Sequence, residues 1–398
     1  MSLASVVDLK SEVCDPDDLG IDATGLDDLA ELAGRYVDEG TLPSCQLSVA
    51  RYGRLAMSAA FGTAGITTRY PTFSATKPIT NSAVWMLVGE GRISPETVVA
   101  EVVPAFGTNG KDVITLEQVV CQTAGFPHAP LDFVTARDRA ARLDKFAKWR
   151  LNFEPGTASE YHPTSAHWVL AEVIESISGT DFRTFVKQRV VDPLGLPTLS
   201  LGVPLAEQCD IADLIEVGRG SNESFGSGEV SIEHMLNFND AGVRALGVPA
   251  AGAMATSADM ALLYQAFMLD PYHLWRPDIL ADVTTNVRNT MWDRLLDAPA
   301  NLTFGLVVNG QVGARRGFGE RASAAAFGWG GAGGQMAWAD PRTGISFCFL
   351  TNGLDADLER GRGRVSDLST IAAALADVGV AKDRRNSDSR KGDVEDGN

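Results

Sequence analysis

A chain of 398 residues that is 45% hydrophobic can bury a large core, as one big domain or two closely joined subdomains, which excludes a disordered protein. Its 34 basic and 51 acidic side chains leave a net charge of −17, which argues against nucleic acid and anionic membrane surfaces as partners, since both require basic patches. Cys14, Cys45, Cys121, Cys209 and Cys348 are odd in number, far apart and outside any CxxC pair, so neither a disulfide framework nor a zinc site is indicated and reduced, mostly buried thiols are expected.

The first residues, MSLASVVDLKSEVCDPDD, lack the basic start and long apolar run of a secretory signal, and no later segment has the apolar length of a membrane span. A cytoplasmic protein with no membrane span is therefore expected, with residues 1–23 as an unstructured extension. Thr24 and Asp27 form a capping-box-like start to a helix that carries Leu26, Leu29, Ala33, Tyr36 and Val37 on one face and stops at Gly40. The runs Gln46 to Ala50 and Leu55 to Phe61, joined by Arg51-Tyr52-Gly53-Arg54, read as a hairpin. From about Ser74 to Met268 helical patterns dominate, among them Ser165 to Ser178 before Gly179 and Asp181 to Val191 before Pro193-Leu194-Gly195. Ala206 to Val248, with its GRGSNESFGSGE stretch, reads as a long loop, and Asp270 to Arg321 as irregular chain with one strand at Phe304 to Val308. Near the end, Gln335 to Ala339 and Ile345 to Thr351 are apolar strands separated by the turn sequence Asp340-Pro341-Arg342-Thr343-Gly344. Strands at both ends with helices between them predict an α/β (α+β) fold: an antiparallel sheet formed by both chain termini and flanked by helices, with a mostly helical subdomain, roughly residues 90–270, inserted into it. One domain then spans 24–380, and the polar tail 381–398 is expected to be disordered.

Ser74-Ala75-Thr76-Lys77 is an S-x-x-K run ahead of a helix-like apolar pattern of Ile79, Val84, Trp85, Leu87 and Val88. The spacing of three puts Lys77 on the face of Ser74, and a serine at a helix start has backbone N–H groups and the positive dipole end beside it, which suits an oxyanion. A capping serine and a solvated lysine would give the same run. Glu154-Pro155-Gly156-Thr157 and then Tyr161 precede the Ser165 helix, a place where a tyrosine more often packs than reacts. The glycine-rich run Phe327 to Gly334 precedes the last hairpin; it is either a flexible turn or a place where backbone approaches a ligand closely. His128, His167, His234 and His273 have no metal-ligand spacing, so no metal and no cofactor are expected, and neither a G-x-S-x-G elbow nor a phosphate-binding loop is present.

In their order, these three elements resemble the serine β-lactamase-like family, which includes class C β-lactamases, D-alanyl-D-alanine peptidases and carboxylesterases built on the same fold, and for which S-x-x-K is a signature. Further echoes run from about Leu26 to Gly353: Ile114-Thr115-Leu116 leading to Thr123-Ala124-Gly125-Phe126, Pro193-Leu194-Gly195-Leu196, Ala251 through Asp259, and Asp340-Pro341 through Leu350-Thr351-Asn352-Gly353. The resemblance implies that Ser74 is the acylated nucleophile, that Lys77 and Tyr161 share its proton, and that the backbone N–H groups of Ser74 and Ala332 form the oxyanion hole. Reference pKa values of about 10 leave neither tyrosine nor lysine a good base at neutral pH, but packed together each biases the other's proton.

Many members of the family carry Tyr-x-Asn or Tyr-x-Ser where this chain has Tyr161-His162-Pro163, and lysine where it has Trp329 ahead of Gly330-Gly331. Gln122 and Ala124 stand where relatives often carry histidine and serine. Loss of the asparagine, and of the cation that would meet a β-lactam carboxylate, with an indole in the third motif, resembles the family's carboxylesterases. A serine carboxylesterase cleaving small esters is thus expected, with Trp329, Gly330, Gly331 and His162 against a small-molecule substrate. The competing readings are an amide-cleaving β-lactamase, D-aminopeptidase or amidase, acyl transfer to an alcohol, and an inactive relative that only holds a ligand.

Overall fold

The computed structural model describes residues 8–218, 231–310 and 316–376. The tail 381–398 and most of the GRGSNESFGSGE stretch lie outside the described residues.

Seven strands, β1 (Lys10–Val13), β2 (Ser44–Arg51), β3 (Arg54–Gly62), β4 (Val307–Val308), β5 (Phe327–Gly331), β6 (Gln335–Asp340) and β7 (Ile345–Thr351), form one sheet in the order β1-β3-β2-β7-β6-β5-β4. Five helices organise the rest: α1 (Ala23–Asp38), α2 (Lys77–Gly89), α3 (Ser165–Ser178), α4 (Ser257–Leu269) and α5 (Leu358–Ala373). The sheet is built from both ends of the chain, as expected, and between β3 and β4 most of the regular elements among the described residues are helices.

Alternation decides which face each strand gives to which helix. Along β7, Ile345, Phe347 and Phe349 join Trp338 in a core with Leu26, Leu29 and Ala33 of α1 and Leu368 and Ala372 of α5. Cys348 and Leu350 point the other way, into the core that includes Met260, Ala261 and Tyr264 of α4. With a layer on each side, every residue of β7 is buried, and α4, wedged between sheet and helical region, is buried nearly all round. The first hairpin closes on Tyr52 and Gly53 with φ of 53° and 76°, the doubly positive turn whose twist matches antiparallel strands.

Several expectations are corrected. The described part of the expected extension, residues 8–23, is not unstructured: β1 adds to β3 in parallel, making the sheet mixed, and Asp15 caps a short helix, Pro16–Leu19. The N-cap of α1 is Asp22, whose carboxylate accepts from the Thr24 N–H at 3.0 Å, rather than Thr24; a nearby aspartate caps at least as well as threonine. The described part of 206–248 contains the strand Ile215–Val217, paired with Gly353–Asp355, and two short helices, Ile232–Leu236 and Ala241–Leu246, capped by Ser231 and Asp240. Residues 270–310 hold the helix Pro277–Thr285 and a small hairpin, Trp292–Asp293 with Ala298–Pro299, and the strand expected at Phe304 to Val308 shrinks to β4. Elements of this length hold through caps and tertiary contacts and leave too few residues for a period to register.

Cys45, Cys121 and Cys348 are buried, Cys209 is exposed, and none of the five is paired. Among the described residues no helix is long and apolar enough to cross a membrane.

Candidate active site

A second, three-stranded sheet sets the Ser74 turn. Tyr70–Pro71 pairs with Ala253–Ala255, which also pairs with Ser200–Leu201. The Thr72 N–H donates to Ala253 O at 2.9 Å, and Thr76 Oγ1 accepts from the Ala253 N–H at 3.1 Å while bonding Thr72 Oγ1 at 2.9 Å. This clamp holds Phe73 in the left-handed region, φ 45°, a conformation that costs a non-glycine residue on the order of 1 kcal/mol or more. The strained residue lifts Ser74, in the 3-10 turn Phe73–Thr76 just before α2, out of otherwise buried chain. Lys77, first in α2, is fully buried and donates to Ser74 Oγ at 3.3 Å, to Pro163 O at 2.7 Å and to Ala250 O at 3.3 Å. The spacing of three thus brings the two side chains together. Pro163, which has no side-chain donor, contributes through its carbonyl.

The Tyr161 hydroxyl donates to Ser74 Oγ at 2.6 Å, and its ring lies 4.7 Å from Lys77 Nζ. Burial pushes the phenol up to about 12, with hydrogen bonding to Ser74 and to Trp329 acting in the opposite direction. Its loop is pinned from outside the cavity. Gln122 Oε1 accepts from the His162 N–H at 2.6 Å, and Asn289 Nδ2 donates to Ser159 Oγ at 3.0 Å. His162 is the main correction among the expected substrate contacts. It is fully buried, stands edge-on to Phe126, donates from Nδ1 to Glu160 O at 2.7 Å and accepts from the Phe126 N–H on Nε2 at 3.2 Å. Both ring nitrogens are spent on the fold, and the ring borders neither opening beside Ser74.

Burial drives His162 down to about 3 and His167, on α3 with both ring nitrogens buried and unpartnered, well below its ordinary 6.5. Below pH 6.5 the unfolded chain binds protons that the folded one refuses, so stability is lost as the pH is lowered. For His162 the loss approaches about 1.4 kcal/mol per pH unit between roughly pH 6 and 3, and His167 adds to it in the same direction. Urea titrations across that range check this, and His167→Leu is expected to flatten the slope by about one imidazole's share; an unaltered slope would assign the acid sensitivity elsewhere.

The opposite wall is the glycine-rich run. A Cβ on Gly331 would sit 2.4 Å from Thr72 O, and one on Gly328 would sit 2.4 Å from Ala337 O, so β5 approaches both the Ser74 turn and β6 as only glycine allows. Gly333 and Gly334 have φ of 76° and 93°. Ser74, Tyr161, Trp329, Gly330, Gly331 and Ala332 border one cavity of about 880 Å³. It extends past Phe318 and Leu302 to the hairpin at 292–299 and to the first turns of α5.

Arg316 also borders it, a residue for which no local sequence pattern gives a signal. Its Nη2 donates to Pro299 O at 2.6 Å and to Ala300 O at 3.3 Å, its Nε is buried without a partner, and burial holds the guanidinium below its usual pKa. Asp293 and Tyr161 both act on it electrostatically. The cavity therefore contains a cation, although not one in the third motif. Among the described residues no group of three histidine, cysteine or acidic side chains is placed to hold a metal.

The fold has counterparts in known proteins. Over 318 residues the chain is 26% identical to the esterase/beta-lactamase LipL of Mycobacterium tuberculosis, covering 71% of this chain and 68% of that one. A penicillin-binding protein homologue from Caulobacter crescentus superposes with a TM-score of 0.77 at 26% identity, over 89% of this chain and 99% of that one. A family VIII carboxylesterase shares the fold with a TM-score of 0.74 at 21% identity, over 89% and 99% of the two chains. The Beta-lactamase family profile matches residues 29–370, which takes in the Ser74 turn, the Tyr161 loop and the glycine wall, and the chain belongs to that family.

Proposed function

We propose that the protein is a serine hydrolase that cleaves carboxylic esters through an acyl-enzyme on Ser74. The observation that carries this reading is the convergence of two donors on one hydroxyl oxygen: Lys77 Nζ at 3.3 Å and Tyr161 OH at 2.6 Å from Ser74 Oγ. Ser74 Oγ bonds to the ester carbonyl carbon while its proton passes into the Lys77–Tyr161 pair. The carbonyl oxygen becomes an oxyanion against the N–H groups of Ser74 and Ala332. Collapse breaks the bond to the alcohol oxygen, which takes the proton back from the pair, and water releases the acid by the same steps in reverse.

Esters are favoured over amides because the third motif offers Trp329 as an apolar wall where a lysine would meet a substrate carboxylate, and because Tyr161-His162-Pro163 has no side-chain amide to grip a peptide-like group. One observation supports a second reading: Arg316 supplies a cation in the same cavity, which suits an acylating amide or β-lactam that carries a carboxylate. Parallel turnover of a p-nitrophenyl butyrate ester and a chromogenic cephalosporin separates the two. The ester is expected to be hydrolysed, with a transient acyl adduct on the Ser74 peptide by mass spectrometry, and the cephalosporin to be left nearly intact; strong cephalosporin turnover that collapses in Arg316→Ala would establish the second reading. A fluorophosphonate probe that fails to label Ser74 would favour a ligand-holding relative over both.

A further inference from the structure

We infer that the preferred substrate is a neutral ester with one long apolar arm and one short one; this rests on the esterase reading above and goes beyond the small esters that the motifs alone suggest. Ser74 and Ala332 stand between two openings of very different size. On one side is a slot of about 30 Å³ walled by Phe73, Phe133, Met235 and Phe238, with room for a methyl-sized group. On the other is the cavity of about 880 Å³, near the upper end of the range that holds drug-sized ligands and several times what a butyryl group fills.

Two features mark the large side as space kept open. Gly361 and Gly363 lie inside α5, where each costs roughly 1 kcal/mol relative to alanine. Neither has the positive φ that would require glycine; a Cβ on Gly363 would meet nothing within 4 Å, and one on Gly361 only the Asp355 Cβ at 3.9 Å. Packing and backbone therefore explain neither glycine, and both border the cavity.

The second feature is the far rim. Leu295 and Leu296 in the hairpin at 292–299 line the cavity while remaining 42% and 36% exposed, and Met291 and Trp292 beside them are 41% and 54% exposed. Large apolar side chains grouped at the edge of a cavity are held in water at a cost that an apolar chain lying across them would remove. Asp293 acts electrostatically on Arg316 on the same wall, and Asp355 is already paired with Arg360 and Arg364, so neither carboxylate offers an uncompensated charge to the substrate, which favours the neutral ester.

The test is turnover in a pH-stat of two series, methyl butyrate against methyl decanoate and butyl acetate against decyl acetate, all below their aggregation concentrations. In at least one series the long member is expected to exceed the short one in kcat/KM by roughly ten-fold or more. Gly363→Leu fills the cavity while improving helix propensity, so folding is not at risk. It and Leu295→Ser/Leu296→Ser are each expected to lower the long-to-short ratio by about ten-fold. Equal or falling rates with length in both series, or a ratio that neither variant moves, would overturn the inference while leaving ester hydrolysis standing. No turnover of any ester, short or long, would overturn the esterase reading itself and this inference with it.

Discussion

Ester turnover by the Ser74→Ala protein is expected to fall by about 10⁵-fold or more, with stability within about 1 kcal/mol of the parent. Ser74 is only partly buried, and its side chain bonds Lys77 and Tyr161. Its removal leaves Lys77 still donating to the Pro163 and Ala250 carbonyls and leaves the Phe73 turn clamped by Thr72 and Thr76. The fold thus loses little, whereas the reaction loses the hydroxyl on which the cavity, Lys77 and Tyr161 converge. Residual turnover within about ten-fold of the parent, in a protein with an unchanged melting temperature, would mean that Ser74 is not the acylated group.

Tyr161→Phe is expected to lower kcat/KM by about 10²–10⁴-fold. Phenylalanine keeps the ring that packs against Lys77 and removes only the oxygen 2.6 Å from Ser74 Oγ, so KM should move little and kcat should carry the loss. The pH dependence follows from the same burial. Because the phenol is pushed up to about 12, it keeps its proton throughout the neutral range, and its share in taking the Ser74 proton grows as pH rises toward that value. The competent fraction grows with pH, and kcat/KM of the parent should climb from about pH 6 through the alkaline range instead of peaking near neutrality. A flat profile, or a Tyr161→Phe variant as active as the parent, would place proton transfer on Lys77 alone.

What can be read from the residues, and what cannot, divides along the reach of the physics involved. The Ser74–Lys77 pairing is legible because a spacing of three becomes proximity on any helical turn, and the terminal hairpin because Asp340 to Gly344 is turn chemistry between apolar runs. α3 ends at Gly179 with φ 71°, as a glycine after a periodic stretch suggests. Tyr161 is reached through resemblance, since nothing local separates a reacting tyrosine from a packing one. The facing of His162 goes against expectation for the opposite reason: adjacency to Tyr161 suggests a shared pocket, but successive side chains in extended backbone diverge, and His162 turns to Phe126 and Glu160. Arg316 gives no signal because only tertiary structure brings residues 299, 300 and 316 together around Tyr161 and Trp329. The glycine run announces flexibility, and its actual requirement, the Thr72 carbonyl 2.4 Å from a would-be Cβ on Gly331, lies far upstream in the chain.

The place of β7 at the centre of the sheet also sets a schedule. Its partner β2 is made near the start of synthesis, and Thr351 Oγ1 donates to Ser44 O across 307 positions of sequence. At ribosomal speeds of about 5–20 residues per second, β2 and β3 wait on the order of tens of seconds with one apolar edge uncovered, a period in which the nascent chain is exposed to aggregation and to chaperones. Ser74, Lys77 and Tyr161 have all left the ribosome by then, but the glycine wall arrives only with β5 and is fixed only when β6 and β7 slot in beside β2. On the proposed mechanism, a nascent chain that already carries Ser74, Lys77 and Tyr161 still lacks the glycine wall proposed to face the oxyanion, so hydrolysis is expected only once the last strands are in place.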